Sequence, residues 1–277
     1  MHGIRRGFAI NEKLGVKYLT IPSFEKAGGV ICAFSTRVGG VSEKPFDTLN
    51  FSRKRERSEE NFTENIKRFA QAAGFDYKKA VAINYAHSAR LYRAEAADEG
   101  RGITKQSVAE VCDGLYTTCT GLPLISFHAD CVPLFFYDPK LRCAAVCHAG
   151  WKGTAAHIAE RAVASMIGAG CAPSDILAAV GPCISAQRYQ VGGDVADMFY
   201  SEFGKETVET KADGAHVDIT KACIIDIIRA GVPSVNITAA DLCTYNEESL
   251  FFSHRRDKGR TGAMAAFIML TGKGSTA

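Results

Sequence analysis

The chain has 277 residues, and its hydrophobic content of 47% is ample for a buried core. Its 33 basic and 30 acidic residues are spread along the sequence, and the net charge of +3 offers no basic arm for nucleic acid. No apolar run reaches the roughly 18 residues of a membrane-spanning helix, and the first part of the chain lacks the apolar core of an export signal. We therefore expect a cytoplasmic protein that binds neither nucleic acid nor a membrane.

Hydrophobic periodicity and turn residues predict the elements in the first third of the chain. Residues 30–35 form an apolar run that indicates a strand, and a glycine-bearing loop follows it. An amphipathic helix is predicted to begin at Ser58, a good N-cap, and to end at Gly74. A short strand over residues 81–86 then leads to His87.

The rest of the chain mixes strands and helices without a regular βαβ order. The patterns predict strands over residues 114–118, 122–127, 133–137, 142–147, 176–180 and 263–270 and near Val235, and helices over residues 154–169 and 218–230. No repeat or linker divides the sequence. The fold class that this order favours is α+β, a single domain of mixed β-sheets flanked by helices.

The ten cysteines are irregularly spaced in a chain without an export signal, which favours free thiols over a disulfide framework. Cys143, Cys147 and Cys223 lie in apolar segments and are expected in the core. Cys131 differs because it stands in the segment Ala129-Asp130-Cys131, upstream of the chemistry-rich segment His148-Ala149-Gly150-Trp151-Lys152-Gly153. These two segments are the first candidates for a functional site.

Cys131 and His148 flank a predicted β-hairpin. The sequence from Asp138 to Leu141 lies between two apolar runs and is rich in turn residues, which predicts antiparallel pairing of the flanking strands. A turn that is symmetric about Pro139 and Lys140 places Cys131 directly opposite His148, with Cβ atoms about 4.5–5.5 Å apart. At that separation a thiolate and an imidazole can share one metal ion. One inserted residue would put the two side chains on opposite faces.

Two ligands make an incomplete zinc site, so a third is required. His87 follows a predicted strand and is well placed to present a ligand at the end of a sheet. His128 competes through the spacing His128-x-x-Cys131, but residues three apart on an extended strand point to opposite faces. His87 is therefore preferred. A Cys-His-His set with an open fourth position is typical of a catalytic zinc, whereas a structural zinc is closed by four protein ligands.

Five ordered motifs resemble one known family. They are Phe34-Ser35-Thr36-Arg37-Val38-Gly39-Gly40-Val41-Ser42, Ala129-Asp130-Cys131-Val132-Pro133, His148-Ala149-Gly150-Trp151-Lys152-Gly153, Gly181-Pro182-Cys183-Ile184 and Phe252-Ser253-His254-Arg255-Arg256-Asp257. Together they are similar to the laccase-domain family, once described as multicopper polyphenol oxidases and now as zinc-dependent purine nucleoside phosphorylases. The resemblance implies one laccase-domain-like domain over residues 1–277, with its core at about residues 30–270.

The resemblance also implies a metal site with one zinc ion. The family's ligands are the histidine of a Gln-Val-His motif, the cysteine of Ala-Asp-Cys and the histidine of His-Ala-Gly-Trp, which correspond to His87, Cys131 and His148. Here Tyr85-Ala86 stands where glutamine and valine are usual. Copper is less well supported, because a multicopper site needs many more histidines than the seven in this chain.

The activity that the resemblance implies is phosphorolysis. In this reaction phosphate cleaves the N-glycosidic bond of a purine nucleoside, here adenosine, inosine or guanosine. A zinc ion with an open position polarises a substrate oxygen or lowers the pKa of a bound water. The resemblance therefore also implies adenosine deaminase activity and phosphorolysis of S-methyl-5'-thioadenosine.

Further side chains are candidates for the same site. Arg37, Lys152 and Arg256 are cations inside the motifs and are expected to hold phosphate. Asn50 belongs to a Leu-Asn segment that resembles one in the family and is expected to line the pocket. Asp130 is placed in the catalytic set, either to orient a ligand histidine through its second nitrogen or to make a turn hydrogen bond.

Two other functions fit the same residues. In a cysteine hydrolase, Cys131 is the nucleophile and His148 is its base. In a non-enzymatic module, cysteines and histidines hold a structural zinc. Stoichiometric zinc in the purified protein argues against the hydrolase, whereas full activity after chelation favours the structural module.

Overall fold

Two large β-sheets form the middle of the structure, a computed structural model that describes residues 4–56, 58–85, 88–107 and 111–272. The strands are β1 (Arg5–Arg6), β2 (Ala9–Lys13), β3 (Val16–Thr20), β4 (Val30–Ser35), β5 (Val81–Ala82), β6 (Leu91–Arg93), β7 (Gly114–Thr117), β8 (Leu124–His128), β9 (Val132–Asp138), β10 (Cys143–Ala149), β11 (Leu177–Val180), β12 (Gln190–Val191), β13 (Val208–Lys211), β14 (Gly214–Val217), β15 (Ile237–Ala239) and β16 (Met264–Leu270). The α-helices are α1 (Pro22–Ala27), α2 (Glu59–Ala73), α3 (Trp151–Ala155), α4 (Ile158–Gly168), α5 (Gly193–Phe203) and α6 (Ile219–Arg229). Within the described residues, no helix has the length and apolar character needed to cross a membrane.

The two large sheets mix parallel and antiparallel neighbours. The seven-stranded sheet has the order β1-β15-β11-β9-β10-β7-β6 and contains the predicted hairpin of β9 and β10. The six-stranded sheet has the order β2-β3-β4-β16-β8-β5, and β12, β14 and β13 form a small antiparallel sheet. The predicted fold class, mixed β-sheets flanked by helices, is confirmed.

Three hydrophobic clusters separate four layers. Successive side chains of β9 point to opposite faces. Leu134 and Phe136 pack in one cluster with α4, α5 and α6, whereas Phe135 and Tyr137 pack in another with residues of the six-stranded sheet. The far face of that sheet, including Phe267, packs on α2. Because β9 is buried on both faces, its sequence is a continuous apolar run and not an alternating one.

Helix α2 follows the sequence signals at both ends. The Ser58 hydroxyl accepts a hydrogen bond from the backbone N–H of Asn61 at 3.2 Å, and Gly74 ends the helix with a φ of 85°. The strand predicted over residues 30–35 is also confirmed as β4. The strand predicted to lead to His87 is shorter than expected, and Ala86 and His87 lie outside the described residues.

The helix predicted over residues 154–169 is interrupted. Helix α3 already begins at Trp151, before the predicted start, and α4 begins only after His157. His157 has a φ of 60°, in the left-handed region, which breaks the run of helical residues. Neither Ala156 nor His157 is a residue type that marks such a break in a sequence.

The β9–β10 hairpin has a different register from the predicted one. His148 pairs with Pro133 and not with Cys131. The turn is longer than two residues because the Asp138 carboxylate accepts hydrogen bonds from two backbone N–H groups in the turn, at 2.8 and 3.0 Å. The predicted direct pairing of Cys131 with His148 is therefore wrong by two residues. An even shift preserves the face of every side chain, so the two residues still lie on the same side.

Candidate functional site

Cys131 and His148 lie at the seam between the two large sheets. His148 is near the end of β10 in the seven-stranded sheet. Cys131 is in the three-residue connection from β8, in the six-stranded sheet, to β9, in the seven-stranded one. His128 is the last residue of β8, and its ring lies beside that of His148. The crossing of the chain between the sheets thus brings these side chains together.

Gly150 leaves an open space beside the thiol and the imidazole. A Cβ atom placed on Gly150 would lie 3.2 Å from Cys131 Sγ and 3.9 Å from His148 Nε2. The sulfur and the nitrogen therefore converge on one point, which a glycine keeps open. The φ of Gly150 is −79°, a value that any residue adopts, so space explains this glycine better than backbone conformation does.

A hydrogen bond determines which nitrogen of His148 faces this space. Nδ1 lies 2.8 Å from the carbonyl oxygen of Phe127, and because a carbonyl only accepts, Nδ1 carries the proton. In the neutral imidazole Nε2 then holds the lone pair, as a metal ligand requires. Tyr85 fixes the same carbonyl by donating to it at 2.9 Å, and its ring meets the His148 ring edge-on at 4.8 Å.

His128 is a buried residue that contacts the backbone of Cys131. Its side chain is buried, with Nδ1 3.2 Å from the carbonyl oxygen of Cys131 and Nε2 2.8 Å from the Ser126 hydroxyl. Both ring nitrogens are therefore hydrogen-bonded within the protein. Burial, followed by the neighbouring His148, lowers the pKa of His128 well below its ordinary value, so the ring is neutral. His128 thus positions the backbone of Cys131.

Asp130 fastens loops together. Its buried carboxylate accepts hydrogen bonds from the hydroxyls of Thr244 and Ser253, at 2.6 and 3.0 Å, and from the backbone N–H of Arg255 at 2.7 Å. It does not orient His148, because Nδ1 of that ring donates to a backbone carbonyl instead. For His148 the expected orienting role of Asp130 is therefore wrong, and the alternative, a structural hydrogen bond, describes its contacts.

Asp113 anchors the chain next to the predicted third ligand. Its Oδ2 accepts hydrogen bonds from the N–H and the hydroxyl of Ser88 at 2.6 and 2.9 Å. Its backbone carbonyl accepts from the N–H of His148 at 2.7 Å. Asp113 thus ties Ser88, which directly follows His87 in the sequence, to strand β10. His87 lies outside the described residues and stays a prediction.

The surroundings of Cys131 keep its thiol protonated in the absence of a cation. Burial, followed by the negative charges of Asp130 and Asp113, raises the pKa of Cys131 to about 12. A cysteine nucleophile requires the opposite, a lowered pKa. A coordinating thiol, by contrast, is deprotonated by the metal ion that it binds. These surroundings therefore favour a metal ligand over a nucleophile.

Two exposed cations belong to segments that adjoin the candidate ligands: Lys152 lies in α3, and the backbone N–H of Arg255 donates to Asp130, which precedes Cys131. Lys152 follows Gly150 by two residues and has an exposed side chain. Arg255 is also exposed, and its guanidinium lies 5.2 Å from the centroid of the Tyr189 ring. Burial, followed by the charge of Cys131, raises the pKa of Tyr189. Of the cations expected to hold phosphate, Lys152 thus stays a candidate, and Arg255, the neighbour of Arg256 in the same motif, joins it.

Arg37 lies in a separate groove. This groove has a volume of about 680 Å³, and its lining includes Arg37, Lys44 and Arg260. The Arg37 Nε donates to the carbonyl oxygen of Asp47 at 2.9 Å. Among the described residues, the thiol and imidazole pair does not line this groove. The structure thus does not bring Arg37 together with the candidate metal ligands.

Arg256 and Asn50 have structural roles in place of the expected substrate contacts. The guanidinium of Arg256 makes five hydrogen bonds, to three backbone carbonyls and to both carboxylate oxygens of Asp257. Asn50 is fully buried, and its Oδ1 accepts from the N–H groups of Ser52 and Ala263 at 2.9 and 3.0 Å. A guanidinium has five N–H donors, so Arg256 has none left for phosphate.

Sequence reasoning missed the supports of the site. The carbonyl of Phe127 is a backbone group, and no sequence pattern indicates its role. The spacing His128-x-x-Cys131 is a usable signal only where the chain turns between the two residues, because an extended strand would separate their side chains. The chain turns at Asp130, which has a φ of 88°, and this turn lets His128 reach the carbonyl of Cys131.

Comparison with known proteins identifies the family. Residues 31–271 match the family model described as multi-copper polyphenol oxidoreductase laccase. The chain belongs to this family. The resemblance carried by the five sequence motifs is thereby confirmed, and the matched range includes both candidate ligands that the structure describes.

Relatives in this family have similar sequences and folds. The purine nucleoside phosphorylase YlmD of Bacillus subtilis is 35% identical over 244 residues, which cover 86% of this chain and 88% of the relative. The purine nucleoside phosphorylase YfiH of Escherichia coli is 32% identical over 258 residues, covering 91% and 98%. The crystal structure of the Bacillus licheniformis hypothetical protein YfiH matches with a TM-score of 0.88 and 33% identity, over 95% of this chain and 99% of that one. That of YlmD from Geobacillus stearothermophilus matches with a TM-score of 0.87 and 32% identity, over 96% and 100%.

Proposed function

We propose that the protein is a zinc-dependent purine nucleoside phosphorylase, which uses phosphate to cleave the N-glycosidic bond of adenosine, inosine or guanosine. The observation that carries the proposal is the convergence of Cys131 Sγ and His148 Nε2 on the open space at Gly150. The names of relatives that are 35% and 32% identical support a phosphorylase. Deamination of adenosine and phosphorolysis of S-methyl-5'-thioadenosine are proposed as further activities of the same site.

His87, Cys131 and His148 are the proposed zinc ligands. A thiolate sulfur combined with imidazole nitrogens is a donor set that suits zinc, and three protein ligands are usual at its catalytic sites. When bound, the zinc ion would supply a Lewis acid with one open position for a substrate oxygen or a water.

The supports of the ligands act before any substrate arrives. The carbonyl of Phe127 holds the proton of His148 on Nδ1, so Nε2 carries the lone pair in the neutral ring. His128 fixes the backbone of Cys131, and Asp113 fixes Ser88 beside the third ligand. A site held in this way needs little rearrangement when it binds its ligand, which preserves affinity.

Lys152 and Arg255 are proposed to bind phosphate. Lys152 offers a point charge, and the guanidinium of Arg255 offers two parallel donors. Its Nη1 already donates to the backbone carbonyl of Gln190 at 2.6 Å, which fixes the orientation of the fork. Holding the anion beside the nucleoside makes the attack effectively intramolecular, a large source of rate enhancement. Substitution of either cation with alanine is expected to raise the KM for phosphate more than the KM for the nucleoside.

A cysteine hydrolase is the second candidate, because the same convergence brings a thiol and an imidazole together. The raised pKa of Cys131 opposes it. Alkylation of the metal-free protein with iodoacetamide at pH 7 separates the two functions. Modification of Cys131 no faster than that of an ordinary thiol supports the metal ligand, whereas much faster modification supports the nucleophile.

The decisive experiment combines metal analysis with an activity assay. Wild type, His148→Ala and Cys131→Ser are compared for bound zinc and for phosphate-dependent release of adenine or hypoxanthine. Cys119→Ser is the matched control, since Cys119 is also partly buried but its thiol donates to Glu95. We expect each ligand variant to lose one zinc per chain and at least about 100-fold in rate, because even supporting residues change activity about 10–100-fold. Activity equal to that of wild type in both ligand variants would contradict the proposal.

A further inference from the structure

A second cluster of ligating side chains lies where helices α4, α5 and α6 meet. We call it the helix-junction cluster, and it consists of His157, Glu160, Glu202 and Asp226. The ligand atoms of His157, Glu160 and Asp226 all lie within 4.8 Å of one another. His157 Nδ1 is 2.9 Å from Asp226 Oδ1, and its Nε2 is 3.2 Å from Glu202 Oε2. None of these residues takes part in the site at Gly150.

One buried carboxylate oxygen of the cluster indicates that the cluster binds a cation. The Asp226 side chain is fully buried, and among the described residues its Oδ2 has no hydrogen-bond partner. A buried polar atom without a partner destabilises the folded state, because it has lost its hydrogen bonds to water and gained none in return. The other oxygen, Oδ1, pairs with His157 and holds the carboxylate in place, while Oδ2 makes no hydrogen bond within the described residues. A cation beside Oδ2 would satisfy it.

The cluster also carries more negative than positive charge. Three carboxylates surround one imidazole. In the described part of the chain, His157 is the only basic side chain within ion-pair distance of any of them. Arg229 is close by, but its Nη1 donates to the backbone carbonyl of Glu202 and its guanidinium lies 5.9 Å from the ring centroid of Phe203. The cluster thus keeps an excess of negative charge that a divalent ion would neutralise.

We propose that His157, Glu160 and Asp226 form a second metal site, which binds a zinc ion and links α4 to α6. One imidazole and two carboxylates are donors that suit zinc. In the bound state Nδ1 loses its proton to solvent and faces the ion together with Asp226. Nε2–H continues to donate to Glu202, the arrangement in which a carboxylate orients a metal-bound histidine. His157 lies between α3 and α4, and its ring reaches Asp226 in α6.

Zinc binding to the full-length chain tests the proposal, by calorimetric titration and by metal analysis after dialysis. We expect two zinc ions per wild-type chain. The Cys131→Ser/His148→Ala variant, which lacks the site at Gly150, should keep one. When Glu160→Gln is added to that variant, the remaining ion should bind at least about 10-fold more weakly, because one ligand is lost. Glu160 is exposed, so the substitution should leave the fold intact, and the exposed Asp194 in α5 gives the control Asp194→Asn, expected to match wild type.

The outcomes separate this proposal from the proposed function. Two results would overturn the second site. One is that Cys131→Ser/His148→Ala binds no zinc. The other is that this variant binds zinc with the same affinity whether or not it also carries Glu160→Gln. If the site at Gly150 binds no metal, wild type holds one zinc and Asp226→Asn holds none. That result would support the helix-junction cluster as a metal site while contradicting the metal site proposed for phosphorolysis.

Discussion

The imidazole rings of His128 and His148 are stacked, with centroids 4.8 Å apart and planes inclined by 22°. His128 belongs to β8 in the six-stranded sheet, and His148 belongs to β10 in the seven-stranded sheet. Because His128 also contacts the carbonyl oxygen of Cys131, one buried ring supports both described candidate ligands. This geometry makes His128 a positioning residue whose loss should affect metal binding.

Replacing His128 tests this positioning role. His128→Phe keeps an aromatic ring but removes the hydrogen bond to Cys131. His128→Gln replaces the ring with an amide group, whose N–H₂ can still donate to the Cys131 carbonyl. Zinc affinity at the Gly150 site is expected to fall about 10–100-fold in His128→Phe, as for other residues that orient ligands, and less in His128→Gln. Zinc titrations of the two variants in competition with a chelator measure the difference. Equal affinities in His128→Phe and wild type would show that the ring has only a packing role.

Filling the open space at Gly150 should separate activity from stability. The methyl group of Gly150→Ala would lie 3.2 Å from Cys131 Sγ, so the sulfur has to move, while the backbone conformation suits alanine. We expect zinc affinity and phosphorolysis to fall at least about 10-fold with little change in Tm. Gly168→Ala is the control, because nothing lies within 4 Å of its new methyl group. A fully active Gly150→Ala protein would place the reacting atoms elsewhere.

Asp130 should contribute mainly to stability. In Asp130→Asn, an amide N–H₂ replaces one of the oxygens that accept hydrogen bonds from Thr244, Ser253 and the backbone of Arg255. Asparagine tolerates a positive φ, so backbone strain does not confuse the result. The free energy of unfolding, measured with urea, is expected to fall by about 1–3 kcal/mol. The control Asp197→Asn changes an exposed aspartate in α5 and should stay within about 0.5 kcal/mol of wild type.

If Asp130→Asn is as stable as wild type but inactive, Asp130 belongs to the catalytic set and its contacts with the loops are secondary. If stability falls and activity persists at low temperature, the structural role is correct.

The helix-junction cluster predicts how stability depends on pH in the metal-free protein. Burial raises the pKa of Asp226 from its ordinary 3.8 to about 6. Burial lowers the pKa of His157, but its contacts with Asp226 and Glu202 raise it above 6.5 overall. Both groups bind protons more tightly in the folded state, while Glu160 favours and Arg229 opposes protonation of Asp226. Their contribution to stability is therefore greatest at low pH and is lost as pH rises, from about 4 to 6 for Asp226 and above 6.5 for His157.

Urea unfolding in the presence of a chelator, at several values between pH 4 and 8, measures this contribution as the difference between wild type and Asp226→Asn. The difference should shift in favour of Asp226→Asn as pH rises. A difference that does not depend on pH would contradict the assigned pKa shifts.

The sequence could predict those parts of the fold that depend on local signals. Helix α2 has an N-cap at Ser58 and a glycine at its end, and both were recognisable. The interruption of the next helix at His157 was not, because no glycine or proline marks it there. The small sheet of β12, β13 and β14 and the N-terminal strands were also missed, since their partly exposed residues show weak alternation.

The site was predictable where the order of motifs sufficed and unpredictable where it depends on register. The pairing of Cys131 with His148 assumed a two-residue turn, and the hydrogen bonds of Asp138 make the turn longer. Side-chain identity also proved insufficient for Arg256, because its donors are used by backbone carbonyls that no sequence reveals. Motif membership thus did not separate candidate metal ligands from residues with structural roles.

The location of the site at the seam gives distant core residues a functional influence. Phe135 in β9 and Ala266 in β16 both lie in the hydrophobic cluster between the two large sheets, and neither belongs to the site. Since His148 and His128 come from opposite sheets, any repacking in this cluster that slides one sheet along the other changes the distance between the two halves of the site. Metal affinity at the site should therefore depend on how the two large sheets are aligned. Conservative substitutions between the layers are expected to tune metal affinity without a polar contact being altered.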